Sequence, residues 1–350
     1  MRVLVTGGAG FIGSHITEAL LGAGHEVVVV DVLHPAAHRG EPTDLDQRAE
    51  YRWHDVGDRI ALRRAVAGCD AICHQAAMVG LGVDFGDVTD YVTHNDLGTA
   101  VLLQALHEQG FAGRLVLASS MVVYGEGRYR CAEHGLVRPG PRDTAALEQG
   151  HYEAGCPECG RDLVPEAVPE DASVDPRNVY AATKLHQEHL CGAFVIEHSG
   201  VVATMLRYHN VYGPRMPRDT PYAGVASLFR SGLERGEAPR VFEDGGQIRD
   251  FVHVRDVARA NVLALTRPEP VAGALNIASG APHTILDAAV ALSRAFGERA
   301  PSPAVVGGWR AGDVRHVFAS AERARDRLGF VAEVDFDAGM RELASAPLRR

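Results

Sequence analysis

The chain has 350 residues, 46% hydrophobic and 23% charged, enough apolar content to bury one large core or a core with a smaller lobe; intrinsic disorder is excluded. Its formal net charge is −10, from 35 Lys and Arg against 45 Asp and Glu. With the basic residues scattered, a nucleic-acid-binding surface is excluded too. No apolar run reaches the length of a membrane span and residues 1–5 enter a strand pattern directly, so no membrane partner, no signal peptide and a cytoplasmic location are expected.

In chain order, Arg2–Thr6 is a short apolar run, Gly7–Gly13 a glycine turn, and Phe11–Leu21 has apolar residues at helical spacing, ending at Gly22-Ala23-Gly24. Val27–Val30 closes on Asp31, and similar buried-strand runs recur at Ala71–Cys73, Leu115–Ala118 and Val201–Leu206, with helical stretches between them. Alternating strands and helices predict an α/β fold with a doubly wound parallel sheet. Residues 1–210 are expected to form a dinucleotide-binding (Rossmann) domain and 211–350 a smaller substrate lobe, with some chain crossing back to the sheet. Residues 125–175 break the βα pattern with Gly, Pro, Glu and paired cysteines, and are read as an insertion.

The turn Gly7-Gly8-Ala9-Gly10-Phe11-Ile12-Gly13 joins a predicted strand to a predicted helix. Glycines allow a tight turn and a close approach of backbone amides, and a helix N-terminus favours an anion such as a pyrophosphate. Asp31, ending the next strand, supplies a carboxylate for the adenosine ribose hydroxyls and would repel a 2′-phosphate, so NAD is expected over NADP. Asp55-Val56, after the third strand, either meets the adenine or lies in an ordinary loop.

Tyr180 and Lys184 begin a long helical stretch, Val179–Glu197, and four residues apart they share one helix face. A tyrosine with a pKa of about 10 is a poor base near neutrality. An adjacent ammonium and a positive nicotinamide ring favour its phenolate. Ser120 ends the fifth strand at the carboxyl edge of the sheet and is the candidate hydrogen-bond partner of a reacting oxygen.

The glycine turn, Asp31, His74-Gln75-Ala76-Ala77, Asn95, Ser120 and the Tyr180/Lys184 pair together resemble the extended short-chain dehydrogenase/reductase family, in particular its nucleotide-sugar epimerases and dehydratases. The resemblance covers nearly the whole chain. It implies tightly bound NAD, held by Gly7, Gly10, Phe11, Ile12, Gly13, Asp31, Asp55, Val56, Ala76, Asn95, Tyr180 and Lys184, with Ser120, Tyr180 and Lys184 catalytic. The stretches 206–214, 249–256 and 310–313 are similar to the family's sugar-nucleotide motifs and imply that Asn210, Arg249, Arg310 and Asp313 bind the nucleoside diphosphate. His209 stands where relatives carry an apolar aromatic residue, and is expected to be a packed neutral histidine. A homodimer through helices at about 95–109 and 179–197 is a further implication.

Dehydratase relatives carry Asp-Glu directly after the catalytic hydroxyl residue and decarboxylase relatives a glutamate beside it; here those places hold Met121 and Val122. Redox at C4 without elimination remains: 4-epimerisation through a transient ketone, or a reductase or dehydrogenase using the same residues. Within the epimerases, Ala118–Met121, Tyr124–Gly127, Tyr129–Cys131, Pro221–Ala226 and Val241–Gly245 are similar to dTDP-L-rhamnose 4-epimerases; a UDP-sugar 4-epimerase is the alternative. Met78, Val79, Met121 and Val122 are the expected sugar-pocket side chains. Their apolar character suits a deoxy sugar better than a uronic acid, whose carboxylate would be buried without a partner.

Cys131-Ala132-Glu133-His134 and Cys156-Pro157-Glu158-Cys159 form a C-x-x-H and a C-x-x-C with 21 residues between them. That zinc-ribbon spacing, with three thiolates and one imidazole, predicts a structural zinc site. His151 is an alternative to His134 as ligand, and free thiols or a redox role are the other readings. Cys69, Cys73 and Cys191 lie in apolar runs and are expected in the core.

Overall fold

The computed structural model describes residues 1–35, 37–38, 40–80, 85–219, 224–310 and 312–349. Pro221, Tyr222 and Ala223 of one stretch noted above, and Ala311 of another, lie outside the described residues.

The chain opens with β1 (Arg2–Thr6), α1 (Phe11–Gly22), β2 (Glu26–Asp31), β3 (Glu50–Trp53), α2 (Arg59–Val66) and β4 (Ala71–His74). A single turn, α3 (Val88–Tyr91), runs through a π-helical stretch at Val92–Leu97 into α4 (Gly98–Glu108), followed by β5 (Arg114–Ser120). The insertion holds β6 (Arg128–Cys131), β7 (Gly135–Val137), α5 (Thr144–Glu148) and β8 (Val164–Glu166). Then come α6 (Val179–Glu197), β9 (Val202–Tyr208), β10 (Asn210–Tyr212), α7 (Val225–Glu234), β11 (Arg240–Phe242) and β12 (Ile248–His253). The chain ends with α8 (Val254–Thr266), β13 (Gly273–Ile277), β14 (Pro282–Thr284), α9 (Ile285–Phe296), β15 (Ala304–Gly307) and α10 (Phe336–Ser345).

Seven strands form a parallel sheet in the order β13-β9-β5-β4-β1-β2-β3, the doubly wound architecture expected from the sequence. Both faces are covered, which is why the strands read as unbroken apolar runs. On one face Ile16 and Leu20 of α1 and Val257 and Leu265 of α8 pack on Val3, Val5 and Val29; on the other, Leu62, Leu102, Leu106 and Cys191 pack on Leu4, Val28 and Ile72. The chain moves outward from β1 through β2 to β3 and returns to place β4 on the other side of β1. This reversal opens a crevice at the carboxyl ends of β1 and β4.

Residues beyond 210 do not form a lobe alone: α8 packs against the sheet and β13 pairs with β9 as its edge strand. The remainder surrounds a separate core that includes Tyr212, Phe229, Leu233, Leu292, Met340 and Leu343. The insertion, irregular in its sequence pattern, contains a three-stranded antiparallel sheet, β7-β6-β8. Strands of three or four residues are too short for period-two alternation to register.

Candidate active site

A cleft of about 450 Å³ occupies the crevice at β1 and β4 and is lined at one end by Gly7, Gly10, Phe11, Ile12 and Gly13. The turn's shape depends on missing side chains. Gly7 has φ of +68°, and a Cβ there would lie 2.7 Å from the Ala76 amide nitrogen; a Cβ on Gly13 would lie 2.1 Å from the Gly7 carbonyl oxygen. Gly10 differs, since a Cβ there would meet only the Gly7 oxygen, at 3.2 Å. Its bareness keeps open the space above α1, whose first turn has no side-chain cap and presents its amides to the cleft.

Asp31 is buried at the end of β2 and lines the same cleft with Asp55 and Val56. Its Oδ2 accepts from the Ala9 amide at 3.0 Å and Oδ1 from the Leu33 amide at 2.9 Å. A carboxylate has about four acceptor positions, so capacity remains for ribose hydroxyls. The open first turn of α1, the bare Gly10 and the spare acceptors of Asp31 together fit a dinucleotide.

Ser120, Met121, Tyr180 and Lys184 line the other end. Asn178 caps α6 by accepting from the Ala181 amide at 2.8 Å, which starts the helix just before Tyr180. The Ser120 hydroxyl lies beside that of Tyr180 and favours its ionised form. The Lys184 ammonium donates to the Ala118 carbonyl at 2.9 Å and lies 5.9 Å from the centroid of the Tyr180 ring. Burial pushes the Tyr180 phenol up to about 12, against the pull of the neighbouring Ser120 hydroxyl. Burial also brings Lys184 down to about 7, opposed by the charges of Asp96 and Glu188. Desolvation is the largest influence on both groups.

Ala76, Met78, Val79, His209 and Asn210 also line the cleft, whereas Val122 does not. Asn95 is fully buried behind it, in the π-helical stretch. Its Oδ1 accepts from the Met78 amide at 2.7 Å and its Nδ2 donates to the Met78 carbonyl at 3.0 Å and to Thr183 Oγ1 at 2.9 Å. Asn95 thus fixes the wall segment and α6 relative to each other and does not itself line the cavity.

Arg249, Arg310 and Asp313 are outside the described cleft lining. The buried Arg249 guanidinium donates to the carbonyls of Ile248, Val314 and Arg315 at 2.7–2.9 Å. Arg310 stacks on Phe242, 4.9 Å from its centroid, and the Asp313 carbonyl accepts from Arg142 at 2.8 Å. Spacing marks a motif but does not reveal whether its donors are already engaged. His209 is buried, and desolvation lowers it to about 4, so it is neutral near pH 7. Both of its ring nitrogens, and Asn210 Oδ1, lack hydrogen-bond partners among the described residues.

Two cationic residues escaped the sequence reading. Arg349, near the C-terminus, donates to the carbonyls of Ala9 and Gly10 and pairs with Asp44 at 2.8 Å; Arg215 pairs with Glu18 and Asp44. Both line the cleft beside the glycine turn, balanced by the carboxylates of Glu18 and Asp44. A lone arginine more than 330 residues from the turn it contacts leaves no signal in a linear pattern.

Cys131, His134, Cys156 and Cys159 converge away from this cleft, with one ligand atom from each within 4.8 Å of the others. His151 is elsewhere, 3.0 Å from Asp162, and is not part of the group. Cys73 and Cys191 are buried as expected, and Cys69 is partly exposed.

The fold and cleft define an α/β protein of the dinucleotide-binding kind. The chain belongs to the NAD dependent epimerase/dehydratase family, which matches residues 3–142 and 157–278 and leaves out, between them, 143–156, a stretch that ends on Cys156. It is 34% identical over 347 residues to the dTDP-L-rhamnose 4-epimerase of Burkholderia thailandensis, a match covering 98% of this chain and 93% of that protein. The mouse UDP-glucose 4-epimerase is 28% identical, over 96% of this chain and 93% of its own length. The solved complex of Thermus thermophilus UDP-glucose 4-epimerase with NAD gives a TM-score of 0.78 at 30% identity, covering 98% of both chains. The Thermotoga maritima UDP-glucose 4-epimerase with UDP-glucose gives 0.78 at 27% identity, covering 98% of this chain and 97% of that one.

Proposed function

We propose that the protein is an NAD-dependent 4-epimerase of a nucleotide-diphosphate sugar, acting on a dTDP-deoxyhexose such as dTDP-L-rhamnose. The carrying observation is that Ser120, Tyr180 and Lys184 line one end of the cleft whose other end is the glycine turn with Asp31. The glycine turn and Asp31 would hold NAD, which would supply reversible hydride exchange at C4. Tyr180 Oη takes the proton of the C4 hydroxyl and, after the 4-ketone has turned to expose its other face, returns the proton to O4; Ser120 lies beside that hydroxyl and orients the oxygen. Lys184, anchored on Ala118, supplies the positive field for the phenolate and a donor for the nicotinamide ribose.

Met121 follows Ser120 where dehydration or decarboxylation would need a carboxyl group, and with Met78 and Val79 it gives an apolar wall suited to a 6-deoxy sugar. Asn210, with its free acceptor, and Arg310 and Asp313 are proposed nucleotide contacts, with Arg249 holding the strand behind them. In this reading residues 1–210 bind NAD and 211–350 bind the nucleotide sugar, α8 and β13 crossing back to the sheet. A homodimer on α4 and α6 belongs to it too; Leu97, just before α4, and Ile196, near the end of α6, are exposed.

Purified protein incubated with dTDP- and UDP-sugars, followed by NMR at C4 and by absorbance at the NADH band, tests the reading. Inversion without net NADH is expected, with the dTDP-deoxyhexose the best substrate. Turnover only with stoichiometric NAD(P)H or NAD would replace the epimerase by a reductase or dehydrogenase, and preference for a UDP-hexose would replace the sugar.

A further inference from the structure

The insertion has almost no core of its own. Its buried apolar cluster is Tyr129, Cys131, Ala154, Cys156 and Leu163, two of them cysteines. Such a cluster does not offset the entropy of ordering roughly fifty residues, and small modules of this kind need a staple.

The thiols are too far apart for a disulfide: Cys131 and Cys159 Sγ are 3.7 Å apart, against about 2.05 Å for a bond. His134 Nδ1 is 3.5 Å from both Cys131 and Cys156 Sγ. A tetrahedral zinc with bonds of about 2.3 Å to sulfur and about 2.0–2.1 Å to nitrogen sets sulfur–sulfur edges of about 3.8 Å and sulfur–nitrogen edges of about 3.5 Å. The Cys131–Cys159, Cys131–His134 and Cys156–His134 separations match those edges, and all four ligand atoms lie within 4.8 Å of one another. Glu158 Oε2, 3.8 Å from His134 Nε2, faces the nitrogen that would not bind the metal.

The docking residues lie next to these ligands in sequence. Tyr129, two before Cys131, accepts at its hydroxyl from the His316 amide at 3.2 Å. Glu153, three before Cys156, pairs with Arg315 at 2.6 Å and His316 at 2.9 Å. Glu126 accepts from the Arg315 amide at 3.0 Å, and Val168 donates to the Phe318 carbonyl at 2.9 Å. On the opposite side, Arg249 holds the carbonyls of Val314 and Arg315. The segment 314–318 is thus gripped between the insertion and β12.

We propose that Cys131, His134, Cys156 and Cys159 bind one structural zinc ion, and that the metal-stapled insertion holds the 314–318 segment against β12. Four protein ligands close the coordination sphere, so the ion takes no part in turnover.

Metal analysis of the full-length protein is expected to give about one zinc per chain. Cobalt(II) exchanged into the site should show tetrahedral visible bands and thiolate charge transfer. Cys131→Ser and Cys156→Ser should lose the metal, while Cys69→Ser should keep it. Wild-type protein with less than about half a zinc, or cobalt without thiolate bands, overturns the site whether or not the variants fold. For the coupling, chelator-stripped protein should exchange the amides of residues 128–168 and 314–318 at least about tenfold faster, with 115–119 unchanged and protection restored by zinc. Faster exchange confined to 128–168 overturns the coupling and leaves the site. None of these readouts requires a substrate, so failure of the epimerase reading is distinguishable: it would appear as a metal-loaded, exchange-protected protein without C4 inversion.

Discussion

The glycine-turn end of the cleft and the seam between the insertion and residues 314–318 treat polar groups in opposite ways. At the turn, α1 begins uncapped, Asp31 uses part of its accepting capacity, and Asn210 Oδ1 has no described partner. At the seam the buried Arg315 guanidinium is matched by Glu153, Glu243 and Asp244, and Arg249 is committed to three carbonyls. Unused hydrogen-bonding capacity in a cleft is what a ligand would complete; saturated capacity holds the protein to itself. By that measure Arg249, although in a family motif, belongs with the seam.

The largest expected effect tests the cleft side. Tyr180→Phe removes the hydroxyl that would move the proton and keeps the ring, so kcat should fall by about 10²–10⁴ while NAD affinity stays within a few-fold. Retained activity, measured by C4 NMR, would remove the tyrosine from the chemistry. On the seam side, Arg315→Leu leaves Glu243, buried and also paired with Arg142, without one of its two cations. Breaking a buried ion pair on one side costs about 3–5 kcal/mol. Denaturant unfolding should show a large part of that loss, and exchange should rise first at 314–318. A loss below about 1 kcal/mol would mean that the network contributes no more than a surface pair.

How much of this was legible in the sequence follows the same division. The parallel sheet was readable because both-face burial writes itself as apolar runs, and the cleft's glycines, Asp31, Ser120, Tyr180 and Lys184 lie where strand ends and one helix face must place them. The cysteine cluster was readable from spacing alone. Arg349 reaching Gly10, and β13 completing the first half's sheet, depend on contacts between distant parts of the chain that no local period encodes. The commitment of Asn95 to Met78 and Thr183 depends on a π-helical stretch without a sequence signature.

A smaller effect concerns cofactor choice. Asp31→Ser removes the negative charge that disfavours a 2′-phosphate and keeps a short hydrogen-bonding side chain, so the preference for NAD over NADP should narrow by about tenfold or more. Titration of both cofactors checks it. An unchanged ratio would mean that Asp31 serves mainly to hold the amides of Ala9 and Leu33.

The smallest effect separates a ligand-facing polar group from a merely packed one. His209 is lowered from 6.5 to about 4 by desolvation. Its neighbour Asn276 offers little help, being committed to Tyr124, Val168 and Ser320. Between those two pKa values the unfolded chain binds a proton that the folded chain refuses, so stability rises with pH from about 4 to 6.5 and is lost on acidification, at up to about 1.4 kcal/mol per pH unit for one group. His15 and His253, both lowered to about 4, and His74, lowered to about 3, add slopes of the same sign. His209→Phe should therefore remove one proton's share of the slope between pH 6.5 and 4.5 and leave the rest. If it also raises KM for the nucleotide sugar with kcat unchanged, the unpaired ring nitrogens belong with Asn210 on the ligand side; if KM does not move, His209 is a packed core histidine and the cleft's unused capacity ends at Asn210.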